Sequence, residues 1–330
     1  MKKKLAFICA RGLDSFIEPL IQKFEGLDKY RILRYYVATN QEIKSAVAWA
    51  DIIWIEWANE VAMIVSRMYE AKKKKIIIRL HSYEALSDMP KQVDWSVVDY
   101  LVFVAPHIRA IVKEQIPDLE KKVCTKIVYN GIDLDSIKSV ELVKGDEFNI
   151  AYVANINHKK EPALAIQIMS RLVNRDKQWK LHVAGAFQDK RFEIYLKYII
   201  KELGIEDNVL FYGFVKDMNT FYEHKRFILS TSIHEGHPYN IMEGAAHGLQ
   251  PIIHNFYGAK ELYPAGWVFN SIEEAERLFY YDVKVLGNGT VLALRSENND
   301  TRDYIIKRGW TRENQMEQLI KLIDRLGGKK

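Results

Sequence analysis

The chain has 330 residues, 48% of them hydrophobic and 28% charged, with a formal net charge of +5 at pH 7. That length suits two domains with substantial cores, and no apolar run approaches the roughly 20 residues of a membrane span. Acidic and basic residues are mixed throughout, and no basic stripe alternates with aromatics, so nucleic acid is excluded as a partner. The opening Met1-Lys-Lys-Lys-Leu5 is followed by an apolar run that ends at Arg11. The run is too short for a secretory leader and reads as the first buried strand of a cytoplasmic protein. Two cysteines, Cys9 and Cys124, sit in strand-like surroundings and read as reduced thiols.

Short apolar runs alternate with longer periodic segments, the pattern of parallel sheets covered by helices. In the first half the strands are expected at 5–9, 31–37, 51–56, 75–81, 100–105 and 124–129. Helices are expected at 13–24, 59–72 and 106–115. The run Lys72-Lys73-Lys74-Lys75 reads as the solvated end of the second of these helices. The chain turns polar around Gly145, so a first domain is expected over 1–146. In the second half strands are expected at 149–153, 180–184, 209–212, 227–230, 251–254 and 267–269. Helices are expected at 162–174, 191–203, 218–224, 238–247 and 272–279. The second domain would span 147–300, with two helices at 301–307 and 311–326 that cross back to the first. The expected class is α/β, with two facing Rossmann-like domains. Ligands in such sheets bind beyond the carboxyl ends of the strands, so the loops that follow strands are the candidate sites.

The most informative of these loops is Glu235-Gly236-His-Pro238-Tyr239-Asn240-Ile241-Met-Glu243-Gly-Ala-Ala-His-Gly248. Pro238 suits a helix start and Gly248 a left-handed residue after its end. The first-turn amides of Tyr239, Asn240 and Ile241 would then face the Glu235 loop. Amides beside a carboxylate can hold a phosphate and a hydroxylated group together. Three other signals are set aside. Asp133-Leu-Asp135 follows Asn130-Gly131 and reads as turn and cap chemistry. His234, His237, His247 and His254 lack the spacing of a metal site, so no metal is expected. Glu235 and Glu243 as the acid and nucleophile of a glycosidase would leave the helix amides and Lys160 without a purpose.

The block Ser230-Thr-Ser-Ile-His-Glu235 through Gly248 resembles the E-x7-E signature of family-4-type retaining glycosyltransferases of the GT-B fold. Ile127-Val-Tyr-Asn130-Gly131-Ile-Asp133 resembles the segment closing the N-terminal domain in that family. Val153-Ala-Asn155-Ile-Asn-His-Lys-Lys160-Glu161-Pro is similar to its phosphate loop, with Asn155 where the family usually has Arg and Glu161 where it has Gly. The resemblance implies that Glu235 contacts the donor sugar, that Glu243 binds ribose hydroxyls, and that Lys160 neutralises the departing phosphate. Lys159 or Arg11 would stand in for the missing Arg. It places the nucleobase near Phe214 and Val215, and the Gly185 turn near the phosphate or acceptor side. Gly12 is the only glycine of the loop after the first strand, and His81, ending the 75–81 strand, would reach the donor sugar. The implied catalytic set is therefore Glu235, His81 and Lys160. The implied reaction moves a sugar from a nucleotide-diphospho-sugar to a glycan or lipid-linked acceptor, in cell-surface polysaccharide or glycoconjugate synthesis. No cofactor is implied, the nucleotide sugar being a substrate, and a peripheral contact with the inner face of a membrane is expected. The alternatives are a catalytically weak binding subunit and a GT-B-fold sugar-nucleotide epimerase.

Overall fold

The structure is a computed structural model that describes residues 2–141, 143, 145–281, 283–285, 291–293 and 299–327. The chain divides into two compact units, one of residues 1–131 with 312–330 and one of residues 132–311.

In the first unit the order is β1 (Lys4–Ala10), α1 (Glu18–Gly26), β2 (Arg31–Val37), α2 (Asn40–Trp49), β3 (Ile52–Glu56), α3 (Glu60–Arg67), β4 (Lys75–Leu80), α4 (Ser82–Ala85), β5 (Tyr100–Phe103), α5 (Pro106–Gln115), α6 (Leu119–Lys122) and β6 (Cys124–Ile127). The strands form one parallel sheet in the order β2-β1-β3-β4-β5-β6. Its central strands are continuous apolar runs because helices cover both faces. Leu5, Phe7, Trp54 and Ile77 pack against Leu20, Ile21 and Phe24 of α1 on one face. Met316, Leu319, Leu322 and Ile323 of α14 (Arg312–Gly327) join the same core.

The second unit runs β7 (Asn149–Val153), α7 (Pro162–Arg175), β8 (Lys180–Ala184), α8 (Lys190–Glu202), β9 (Val209–Gly213), α9 (Met218–Tyr222), β10 (Phe227–Ser230), α10 (Tyr239–Ala246), β11 (Gln250–His254), α11 (Ala259–Leu262), β12 (Val268–Phe269), α12 (Ile272–Tyr281), the hairpin β13 (Val283–Val285) and β14 (Val291–Ala293), then α13 (Asn299–Lys307). Its parallel sheet has the order β12-β11-β10-β7-β8-β9. Ile150, Leu181, Phe227 and Ile252 meet α7 and α12 around the fully buried Trp179. The Trp179 ring lies 5.3 Å from that of Phe148 and 5.5 Å from that of Phe279. No helix among the described residues is long and apolar enough to cross a membrane.

Several sequence expectations need correcting. The first unit ends at 131, not 146, because the next segment bonds into the second unit. The Val140 amide donates to the His247 carbonyl at 2.8 Å, and the Arg302 guanidinium donates to Leu134 O at 2.9 Å and Ile137 O at 3.2 Å. Two residues of the polar turn expected there, Leu142 and Lys144, lie outside the described residues. Of the two terminal helices, only α14 belongs to the first unit, and α13 stays with the second. The expected helix 59–72 breaks at Met68, whose ψ of 136° is extended, and a 3-10 turn follows at Glu70–Lys73. Helix α2 was not anticipated. A reciprocal cap starts it, with Thr39 Oγ1 accepting from the Glu42 amide at 3.3 Å and the Glu42 carboxylate accepting from the Thr39 amide at 2.9 Å.

The carboxyl ends of β7, β8 and β9 are stitched together by backbone. The Ala154 amide donates to Ala184 O at 2.9 Å, and the Gly185 amide donates to Gly213 O at 2.7 Å. Gly185 has φ +136°, and a Cβ there would lie 1.7 Å from the Ala154 carbonyl oxygen. Only glycine fits such an approach. Gly185→Ala should therefore lower unfolding stability by about 3 kcal/mol or more in urea titration. Gly26→Ala, at a helical position whose Cβ would meet nothing within 4 Å, should be neutral or stabilising by up to about 1 kcal/mol.

Candidate functional site

The site of the second unit is built where β7 and β10 end. After β7 the chain makes a 3-10 turn at His158–Lys160, with the Asn157 side chain accepting from the Lys160 amide. Glu161 then adopts φ +45°, a left-handed conformation that suits glycine better than Glu, before Pro162 opens α7. Residues just past β10 hold this turn in place. Thr231 Oγ1 donates to the carbonyls of Lys160 at 2.8 Å and Glu161 at 2.9 Å, and the Tyr152 hydroxyl donates to Lys160 O at 2.8 Å. The Ile233 amide donates to Lys159 O at 2.9 Å.

The turn delivers two ammonium groups to one buried carboxylate. Glu235 is 6% exposed. Its Oε1 takes Lys160 Nζ at 2.5 Å and Ser232 Oγ at 2.8 Å, and its Oε2 takes Lys159 Nζ at 3.0 Å. Burial alone would raise this carboxyl. The charges and hydrogen bonds of Lys160 and Lys159 outweigh burial and bring it from 4.5 down to about 2. The cluster carries a net positive charge, since two ammoniums share one carboxylate.

Helix α10 follows directly. Pro238 is its N-cap and not its first helical residue, because its ψ of 128° is extended. Helical residues therefore begin at Tyr239, so Tyr239, Asn240 and Ile241 make up the first turn of α10. The Asn240 side chain donates to Val153 O at 2.9 Å and ties the helix start to the end of β7. Glu243 lies one turn further on, half-buried. Its backbone carbonyl accepts from the ring of His247, the C-cap. Gly248 has φ +95°. Tyr152, Val153, Lys160, Thr231, Ser232 and Asn240 line a narrow crevice between the strand ends. A wider pocket of about 490 Å³ adjoins the same turn, lined by His158, Asp189, Arg191, Phe192 and Tyr195.

The other expected residues of this unit fall on the same strand ends. Asn155 is exposed in the loop after β7 and Gly185 is the close approach described above. After β9, Phe214 is 82% exposed, whereas Val215 packs on the cluster of Ala151, Ala184 and Phe221. Gly236 is buried beside Glu235. Ser232, Thr231 and Tyr152 escaped sequence reasoning because their roles depend on strand pairing, although Ser232 sits only three residues before Glu235.

His81 and Gly12 belong to the first unit. His81 caps α4 at the end of β4, is 5% exposed, and its Nε2 lies 2.7 Å from Glu56 Oε1. Burial would raise the Glu56 carboxyl, but the Arg79 guanidinium, 3.2 Å away, and the His81 ring hold it below its ordinary value. An ionised Glu56 can only accept, so His81 Nε2 carries the proton. The imidazole stacks on Trp57, with centroids 4.2 Å apart. Trp57 adopts φ +76°, costly for an aromatic residue, and is held by its own indole donating to Leu13 O at 3.0 Å. Gly12 is exposed with φ +85° and open space around it.

The Glu235 cluster makes stability pH-dependent. Its folded pKa is depressed, so its contribution is complete above about pH 4.5 and is lost as pH falls toward 2. Glu235→Gln should cost about 3 kcal/mol at pH 7. The gap to wild type should close progressively on acidification in urea titrations run from pH 7 to pH 2.

Residues 134–267 match the family model described as "Glycosyl transferases group 1". The matched stretch contains Lys160, Glu235 and Glu243. Among curated proteins none matches the chain. Several solved structures resemble it over nearly their whole length. Anabaena HepE in complex with UDP has a TM-score of 0.77 at 14% identity, over 98% of this chain and 100% of that one. A glycosyltransferase from Rickettsia africae has a TM-score of 0.78 at 15% identity, over 100% of both chains. Sucrose-phosphate synthase from Thermosynechococcus elongatus has a TM-score of 0.75 at 12% identity, over 98% of this chain and 99% of that one. The two six-stranded parallel sheets are those of the GT-B fold, and within it residues 134–267 match the glycosyl transferases group 1 model.

Proposed function

We propose that this protein is a metal-independent, retaining glycosyltransferase of the family-4 type. It moves a hexose from a nucleotide-diphospho-sugar to a glycan or lipid-linked acceptor, in polysaccharide or glycoconjugate synthesis at the cytoplasmic face of a membrane. The observation that carries this reading is the net-positive cluster of Lys159, Lys160 and Glu235 at the head of α10, inside the matched domain. As the glycosidic bond to the nucleotide breaks, negative charge grows on the β-phosphate. Preorganised cations and amides there stabilise that charge more in the transition state than in the ground state. Lys160 and Lys159 supply the cations, and Tyr239, Asn240 and Ile241 supply the amides. Lys159 takes the place of the Arg that Asn155 replaces.

Glu235 then faces the donor sugar, and Glu243, one turn along α10, accepts from the ribose hydroxyls. Phe214, exposed after β9, offers an aromatic face to the base. The acceptor hydroxyl attacks from the side on which the phosphate departs, and a β-phosphate oxygen takes its proton. Because UDP or a UDP-sugar accompanies the Anabaena relative, uridine nucleotides are the first donors to try.

Glu243→Ala should weaken UDP binding about tenfold or more by calorimetry, through loss of charge-assisted hydrogen bonds. Glu235→Ala should leave UDP affinity unchanged or tighter, because it frees two ammoniums for phosphate. Its turnover should nonetheless fall about 100-fold or more. EDTA should not reduce activity, and proton NMR of the product should show the anomeric configuration of the donor. Wild-type affinity for UDP in Glu243→Ala would sink this assignment of roles, and inverted product would sink the retaining mechanism.

A further inference from the structure

An edge strand presents unpaired N–H and C=O groups that can template another chain, and proteins blunt such edges with charge or by keeping them short. Among the described residues, three of the four edges of the two large sheets are guarded in this way. Strand β2 carries Arg31 and Arg34, β6 carries Lys126, and β12 is two residues long. Strand β9 has no such guard. It reads Val-Leu-Phe-Tyr-Gly, with no charge, and only Val209 is buried. Leu210 and Phe211 are each 37% exposed and Tyr212 is 47% exposed. Its pairing with β8 slips only at the carboxyl end, between Phe211 and Gly213. The charges lie at the two ends: exposed Glu206 and Asp207 before the strand, and exposed Lys216 after it. Asp217, also exposed, follows Lys216, and its carboxylate caps α9 by accepting from the Thr220 amide at 3.3 Å and the Thr220 hydroxyl at 2.9 Å.

We propose that β9 pairs antiparallel with the β9 of a second copy of this chain, forming a two-fold dimer. An isologous contact needs a self-complementary patch, and β9 is one. Antiparallel pairing sets apolar edge against apolar edge. It also lays the acidic entrance of each strand, Glu206 and Asp207, beside Lys216 at the end of the other. Tyr212, Phe211 and Leu210 then form cross-strand contacts of the kind that stabilise antiparallel pairs. An anionic lipid surface fits this edge less well, since it favours cations around the patch and meets two carboxylates at one end. The proposal stands independently of the transferase reading.

Sedimentation velocity on the full chain, from about 1 to 100 µM, tests it. The wild type should be dimeric and should not associate further. Phe211→Lys should be monomeric while keeping a cooperative thermal melt. Lys216→Glu should weaken the dimer about tenfold or more, and adding Glu206→Lys should restore it. A monomeric wild type, or a dimer that survives Phe211→Lys, overturns the proposal. If Phe211→Lys does not fold, the charge pair decides: a dimer indifferent to Lys216→Glu overturns the proposal, and loss with recovery in the double variant supports it.

Discussion

The site of the second unit depends on one buried carboxylate that stays ionised. An isolated Glu in the position of Glu235 would neutralise itself, since removing an unpaired carboxylate from water costs several kcal/mol. Two ammoniums and a hydroxyl reverse that balance, and the carboxyl is held near 2. The geometry follows from this need. Lys159 and Lys160 must leave β7 in a tight turn to reach the carboxylate together, so the turn is pinned by Tyr152 and Thr231 through its carbonyls. The left-handed Glu161 is the price of turning straight into α7 from there.

The same turn explains why the cluster stands beside a helix start. Asn240 bonds back to the last carbonyl of β7, so the first turn of α10 and the lysine turn are two sides of one construction. Backbone stitching of β7, β8 and β9 at Gly185 and Gly213 places the pocket by Phe192 and Tyr195 next to it. The polar groups converge at strand ends, while the apolar faces of the sheet hold them from below.

Much of this was legible in the sequence. The Glu235–Glu243 spacing, Pro238 and Gly248 announced a short helix after a charged loop, and the structure moves its start by one residue because Pro238 keeps an extended ψ. Alternating apolar runs located all twelve strands of the two large sheets to within a few residues, since continuous runs are what doubly covered parallel strands require. Helix α2 could have been read as well, as Thr39 and Glu42 form a capping box that local inspection detects. What stayed hidden was non-local. Nothing around Val140 shows that its amide bonds to His247, or that Arg302 gathers the carbonyls of Leu134 and Ile137, so the unit boundary was misplaced. The partnership of Glu56 with Arg79 and His81 is invisible for the same reason, since parallel strand pairing creates it.

The claim at the centre is that the Lys159–Lys160 turn is a diphosphate-binding element. Calorimetric titration of UDP into the wild type, Lys160→Met and Lys159→Met tests it most directly, with unfolding curves to confirm that each variant is folded. The expected result is measurable UDP binding to the wild type, weakened about tenfold or more in Lys160→Met and to a smaller degree in Lys159→Met, with a salt dependence that falls as each cation is removed. UDP affinity left intact in a folded Lys160→Met would contradict it.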